Sequence, residues 1–256
     1  MHFSVETASV DGALHMRGHA HAGWHLVAIT AGAFEEAVGK RIFSLPVGAL
    51  RLSRPGASHE IAVASSGMTC AILSLPAAWM MGVFGPGPDR GDSHFIAEPN
   101  IHDRICAAAN LAMTSGGKAE ASLIVREALA GIHGIVHAEE MGPVPLWVED
   151  ARRLIADGQS SRSIAVLARS ARMSREHFSR AFRRYTGWRP VDYRATTRAL
   201  RAVRLLKESE VPLAELAADL GYSDQSHMIR ELKAYAGATP SVIRRLNRFG
   251  AESHGK

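Results

Sequence analysis

The chain has only two cysteines in 256 residues, Cys70 and Cys106, too few for a disulfide framework. They read as buried thiols. No apolar run approaches the ~18 residues a membrane-crossing helix needs. The longest, Ala71 to Phe84, is interrupted by Ser74 and Pro76. The amino terminus carries Glu6 and Asp11 and has no basic segment ahead of an apolar one, which argues against a secretory signal. These absences lead to the expectation of a cytoplasmic chain with no membrane partner. Lysine is also scarce where positive charge is densest. Residues 146–256 carry 21 basic residues, 18 of them arginine, against 12 acidic ones. Residues 1–145 carry 9 basic and 13 acidic residues. A codon bias explains arginine over lysine but not this asymmetry. An acidic half joined to a basic half points to one domain that meets nucleic acid and one that does not. Arginine suits that role because its planar fork matches phosphate and guanine.

What is present divides the chain in the same way. Up to about residue 95, short apolar runs (Trp24 to Thr30, Arg41 to Leu45, Ala49 to Leu52, Glu60 to Ala64, Met68 to Leu75) alternate with turn residues. Among the latter are Gly32, Gly39, Pro46-Val-Gly48, Pro55-Gly56 and Ser66-Gly67. This spacing predicts an antiparallel sandwich or barrel. Phe34-Glu35-Glu36 reads as an outward-facing strand end. From about Asn100 the period becomes helical, with Ile101, Ile105, Ala108 and Ala112 on one face and a second helix from Ala121 to Ile135. Pro143-Val-Pro145 is a stiff break. Beyond it, Trp147 to about Asn247 reads as helical, and the tail from Phe249 as frayed. The expected class is α+β multidomain. It comprises a β domain over 1–98, a helical linker over 99–142 and an all-α domain over 147–247.

The all-α region contains one pattern twice. Ser163 to Ser174, Arg175 to Tyr185 and Gly187-Trp-Arg-Pro190 correspond to Pro212 to Ser223, Asp224 to Tyr235 and Gly237-Ala-Thr-Pro240. Each copy reads as a short helix, a tight turn and a second helix, over 164–185 and 213–235. That is the form of a helix-turn-helix, whose second helix enters the major groove. Ile164, Val166, Leu167 and Ala171 supply the first apolar face, and Leu213, Leu216, Ala217 and Leu220 the second. Ser174 is the expected N-cap of one recognition helix, and Ser223 or Asp224 of the other. Phe178, Ala181, Phe182 and Tyr185 turn inward in the first copy; Met228, Leu232 and Tyr235 do so in the second. The ordinary alternative for one copy is a bundle with a solvated basic face. Two copies in register, each ended by Gly-x-x-Pro, favour a pair of DNA readers.

On these residues the region resembles the DNA-binding domain of the AraC/XylS family of bacterial transcription regulators. Leu216-Ala-Ala-Asp-Leu-Gly-Tyr-Ser-Asp-Gln-Ser-His-Met-Ile-Arg and Gly237-Ala-Thr-Pro240 carry the likeness. The resemblance implies seven helices, with Val191 to Lys207 joining two reading heads. It implies base contacts from Glu176, Ser179 and Arg180 in the first head and from Gln225, Ser226, His227 and Arg230 in the second. It further implies phosphate contacts from Arg183 and Lys233. Met228 and Leu232 depart from the family's usual phenylalanine, and Ile243 from a common tyrosine. Double-stranded DNA, a small-molecule effector, RNA polymerase and a second copy of the chain are the implied partners. The helices of 101–137 resemble the family's dimerisation region, with Leu111, Leu123, Ile124, Leu129 and Ile132 either at an interface or packed on the barrel.

Ten of the 13 histidines precede residue 146. The spacing His19-x-His21-x3-His25-x6-Gly32 resembles the first metal motif of cupin barrels, with histidine where glutamate is usual, and Pro55-Gly-Ala-Ser-His59 resembles the second. Strand alternation puts His19 and His21 on one face. Two readings stay open: a site for zinc, iron or nickel on His19, His21, His25 and His59, and a metal-free ligand pocket lined by these residues and Trp24. The leading expectation is a non-enzymatic, ligand-responsive regulator. The alternative is a cupin metalloenzyme, dioxygenase-like, fused to a DNA-binding domain.

Overall fold

The structure is a computed structural model that describes residues 3–85, 93–157 and 163–245. Contacts cluster into two compact units, residues 1–110 and 111–256. The expected tail from Phe249 lies outside the described residues.

The first unit is built on one antiparallel sheet of seven strands: β1 (Ser4–Val10), β2 (Leu14–His19), β3 (Trp24–Val38), β4 (Arg41–Pro46), β5 (Leu50–Ser53), β6 (His59–Leu75) and β7 (Ser93–Ile96). Two long strands organise it. The carboxy-terminal half of β6 pairs with β1 and with the start of β3; its amino-terminal half pairs with β2 and the end of β3. On its other side β3 pairs first with β5 and then with β4. The sheet therefore has two halves that share β3 and β6. Both strands bend at the same level, where register shifts flank Ala31 and Gly32.

Gly32 and Gly67 make that bend. Both have positive φ, 67° and 71°. A Cβ on Gly32 would lie 2.2 Å from the Gly67 carbonyl oxygen, and one on Gly67 would lie 2.3 Å from that of Val10. Neither backbone could approach so closely with a side chain present. Ser66-Gly67 is therefore not the turn expected from the sequence. It is a kink inside a single 17-residue strand.

The bend curls the sheet on itself. His25 pairs in register with Ser74, 15 residues from His59 on the same strand, and a straight strand would separate those two by about 50 Å. Yet the His21 ring lies 4.3 Å from that of His25 and 5.2 Å from that of His59. Inside the curl, Val27, Ile29, Phe34, Leu45, Val63 and Cys70 form a buried core.

Two expectations for this unit need correction. Ala77–Phe84, within the stretch read as all β, is a helix, α1; Pro76 caps its start, and Met80 and Val83 are buried. Glu36 does not face outward. Phe34 and Glu36 share the inner face, and the Glu36 carboxylate is fully buried 2.6 Å from the Arg51 guanidinium. Only Glu35 is exposed. Helix α2 (Pro99–Ala112) completes the unit, anchored by a 2.9 Å hydrogen bond between the His102 ring and the Ile29 carbonyl.

The second unit is helical: α3 (Lys118–Val136), α4 (Ala138–Met141), α5 (Leu146–Ala156), α6 (Ile164–Ser170), α7 (Arg175–Thr186), α8 (Pro190–Glu208), α9 (Leu213–Asp219) and α10 (Gln225–Tyr235), followed by helical residues 240–245. Seven helices thus follow residue 145 among the described residues, as the resemblance implied. Helix α3 packs on α7 and α8. Leu123, Ile124, Leu129 and Ile132 are buried within the single chain, so they have no free face for a second subunit. The expected linker helix thus belongs with the helices that follow it.

Gly67→Ala should destabilise the sheet unit by about 3 kcal/mol or more, because the clash is with backbone and the φ is left-handed. Chemical denaturation followed by far-UV circular dichroism would show an early loss of sheet signal while the helical signal persists.

Candidate nucleic-acid interface and candidate metal centre

In the first head, α6 and α7 meet through buried Ile164, Leu167, Ala168, Phe178 and Phe182. The Ser174 hydroxyl accepts from the His177 amide at 3.1 Å, capping α7 as expected. Gly187 ends α7 in a left-handed conformation. Trp147, Phe178, Phe182 and Tyr193 form a chain of rings 5.3 to 5.9 Å apart. With one side of α7 so occupied, Glu176, Arg180 and Arg183 are exposed and Ser179 is half-buried.

The second head repeats this plan with other means. Asp224, rather than Ser223, caps α10: its carboxylate accepts from the His227 amide at 2.7 Å and from the Ser223 hydroxyl at 3.0 Å. These bonds hold the Asp224 carboxyl below the usual carboxylate range. Met228 and Leu232 are fully buried where the first head has Phe178 and Phe182. Electrostatics replaces the missing rings. Arg198 of α8 makes paired bonds to Glu231 at 2.9 and 2.5 Å, donates to the Gly221 carbonyl at 3.1 Å, and lies 4.0 Å over the Tyr222 ring. The turns differ as well. Gly221 has φ 72°, whereas the matching position in the first head is Arg172, the sole described non-glycine residue with positive φ, at 55°.

Gln225, Ser226, Arg230 and Lys233 are exposed on α10. His227 is half-buried. Its Nδ1 is 3.1 Å from the Ser223 hydroxyl and its Nε2 3.8 Å from Glu231, so its ring braces the turn. Each head thus offers a capped helix with exposed polar and basic residues on one side.

The helix-turn-helix domain family matches residues 167–246. An arabinose operon regulatory protein of Salmonella typhimurium is 31% identical over 104 residues, covering 40% of this chain and 37% of that protein. An uncharacterised helix-turn-helix transcriptional regulator of Haemophilus influenzae is 30% identical over 92 residues, covering 36% of this chain and 31% of that protein. Residues 167–246 thus form a helix-turn-helix domain, similar in sequence to that of the arabinose operon regulators. The chain matches only about a third of the length of these curated relatives. Among solved structures, ToxT of Vibrio cholerae aligns over 96% of this chain and 99% of its own, at a TM-score of 0.42 and 10% identity. An AraC-type regulator of Chromobacterium violaceum aligns over 40% of this chain and 91% of its own, at 0.37 and 22%.

In the first unit the curled sheet gathers histidines. His19 and His59 are register partners on β2 and β6, with rings 4.3 Å apart. His21 follows β2 and is fixed by the Gly56 amide bonding to its carbonyl. One ligand nitrogen from each of His19, His21 and His59 falls within 4.8 Å of the others. His25 is outside that group, although its ring touches His21. Trp24, its neighbour on β3, points to the opposite face, stacking on Phe84 of α1 with Arg54 over its ring. The structure thus brings three of the four candidate metal ligands together and places Trp24 in a separate packing cluster.

The cluster has the chemistry of a ligand set. Nδ1 of His19 and Nδ1 of His59 each lie 3.2 Å from a backbone carbonyl, of Arg17 and Ala57. Donation there leaves Nε2 as the acceptor, the arrangement of metal-binding imidazoles. His59 Nε2 is buried without a hydrogen-bond partner. Burial first, then the positive charge of Arg51, lowers His59 to about 4. Burial, His25, His19 and Arg51 lower His21 to about 4. Both are therefore neutral near pH 7 and able to coordinate.

A depressed imidazole couples folding to pH. His59 binds a proton near pH 6.5 when unfolded but only near pH 4 when folded. Its contribution is fully present above pH 6.5 and is lost as the pH falls through 4. In metal-free protein, His59→Gln should reduce the acid-induced loss of stability between those values by about 2 kcal/mol. Urea midpoints measured across that range would check this.

Proposed function

We propose that the chain is a sequence-specific DNA-binding transcription regulator that reads two successive major-groove segments. The observation that carries this reading is the duplicated, capped recognition helix in a domain of AraC type, with readers at matched positions. Arg180 and Arg230 occupy the same place in the two heads and are both exposed. Each can fork to guanine O6 and N7, and Gln225 can pair with adenine. Glu176, Ser179 and Ser226 complete the base-facing sets. His227 orders the turn beside them, and Arg183 and Lys233 meet phosphate. The partners in this reading are double-stranded DNA, RNA polymerase and a second copy of the chain, the last through a surface other than the buried face of α3. A DNA reader of this kind acts in the cytoplasm.

The sheet unit acts as the sensor in this proposal, and its ligand site is the histidine cluster. His19, His21 and His59 would hold a divalent ion such as zinc, iron or nickel, with His25 able to join as a fourth ligand. Such an ion would supply an open coordination position for a small-molecule effector. Ligand binding then biases the DNA-reading state through a coupling free energy. The same three imidazoles support a second reading, a dioxygenase-like metalloenzyme fused to the reader.

Selection of bound sites from random DNA should return a two-part sequence. Arg180→Ala and Arg230→Ala should each relax a different part, at a cost of about 1–3 kcal/mol. Loss of both parts in either variant, or of neither, would count against the proposal.

Equilibrium dialysis followed by elemental analysis should find one zinc, iron or nickel ion per chain in the parent and less than a tenth of that in His59→Ala. Oxygen consumption by the metal-loaded chain would move the assignment to the enzyme reading.

A further inference from the structure

Arg126 lies on α3, upstream of the helix-turn-helix domain, yet it touches the ends of both recognition helices. Its guanidinium is 5.2 Å from the ring of Trp188, two residues past the end of α7, and 5.1 Å from that of Tyr235, the last residue of α10. Both distances fall within cation–π range. Neither ring is free to drift. Trp188 is 7% exposed, and its amide donates to the Thr186 hydroxyl at 3.1 Å. The Tyr235 hydroxyl donates to Asp192 of α8 at 3.3 Å, and Asp192 is paired with Arg189 at 2.6 Å.

Helix α3 is itself pinned along α8. Glu120 accepts from Arg204 at 2.9 Å and Lys207 at 3.0 Å. One heptad later, Glu127 accepts from the buried Tyr193 hydroxyl at 2.9 Å. Residue 120 thus meets the end of α8 and residue 127 its beginning, so the two helices run antiparallel. Arg126 is carried on this fixed rod, and a flat guanidinium can stack on two rings where an ammonium cannot.

We infer that Arg126 is a positioning residue that clamps the two reading heads to one rod, fixing their separation and hence the half-site spacing the chain accepts. The spacing clause rests on the DNA-reading proposal; the clamp does not. It makes α3, which follows the sheet unit in sequence, part of the reader.

Two measurements on the full chain test this. In a background with Cys70→Ala and Cys106→Ser, spin labels at Arg169→Cys and Ala234→Cys report the distance between heads without DNA. The parent should give one narrow distribution, and Arg126→Met a broadened or divided one. An unchanged distribution in Arg126→Met overturns the clamp. If that variant loses its helical circular dichroism, Arg126→Lys decides in the same way, since it keeps the charge without the flat stack. The second measurement uses the two-part site from selection, intact, respaced by two base pairs, or halved. Arg126→Met should bind the intact site about tenfold more weakly, discriminate less against the respaced site, and bind each half within about twofold of the parent. Equal weakening on single halves would mean that Arg126 supports the fold of a head, and would overturn the spacing role. If the parent selects no sequence, the DNA-reading proposal falls and the spacing clause with it; the label distances still decide the clamp.

Discussion

Everything in the helical unit depends on α8 being covered on nearly every side. Ten of its 19 residues are buried, among them Tyr193, Thr196 and Thr197. A helix with one apolar stripe needs one partner; a helix buried over this much of its surface needs several. The partners are α3, α5, α7 and α10. Polar groups inside such a packing usually find bonds: Tyr193 and Thr197 do so, with Glu127 and with the backbone one turn earlier, whereas the buried Thr196 hydroxyl has no hydrogen-bond partner among the described residues. Helix α8 is thus less a linker than the common floor of both heads.

The two heads solve one problem with different physics. The first is held by ring packing around Phe178 and Phe182, which is not subject to ionic screening. The second has aliphatic Met228 and Leu232, and Arg198 bridges α8, the turn and Glu231 instead. The side chains of that pair are only 13% and 9% exposed, so it is screened weakly, but loss of one partner would strand a charge. The less aromatic core of the second head is therefore not a weaker copy of the first. Its geometry is set by directional bonds, which fix orientation more sharply than apolar contact does.

The helical half was legible in the sequence because its signals are local. Period, N-caps and Gly-x-x-Pro recur within a dozen residues, and the helices of the two heads, α6 to α10, start within about two residues of their expected places; α3 starts three residues earlier than expected, and α4 was not expected. The sheet half was legible only in part. Ser66-Gly67 looks like a turn because glycine usually marks one, and only the packing of β1, β6 and β3 reveals a kink. Glu36 was read as surface because carboxylates seldom go inside, and its partner Arg51 is 15 residues away. The shared role of α3 was hidden for the same reason: its apolar face reads identically whether it meets a second subunit or its own chain. Arg126 carries no motif at all; Trp188 and Tyr235 become its neighbours only through the fold.

The histidine cluster and the buried Glu36–Arg51 pair are best understood together. Arg51 depresses His21, His25 and His59, so an uncompensated Arg51 would oppose any cation bound there. Glu36, in contact with the guanidinium, cancels that charge as long as it is ionised. Burial pushes Glu36 up to about 7, against the pull of Arg51. Acid would therefore act twice on a cation held there, by protonating Glu36 and exposing the field of Arg51, and at lower pH by protonating the imidazoles themselves. An anion at the same place would see the opposite field and gain as Glu36 is neutralised. The protonation state of the buried pair would thus bias the sign of charge the cluster accepts, although neither Glu36 nor Arg51 belongs to the histidine group.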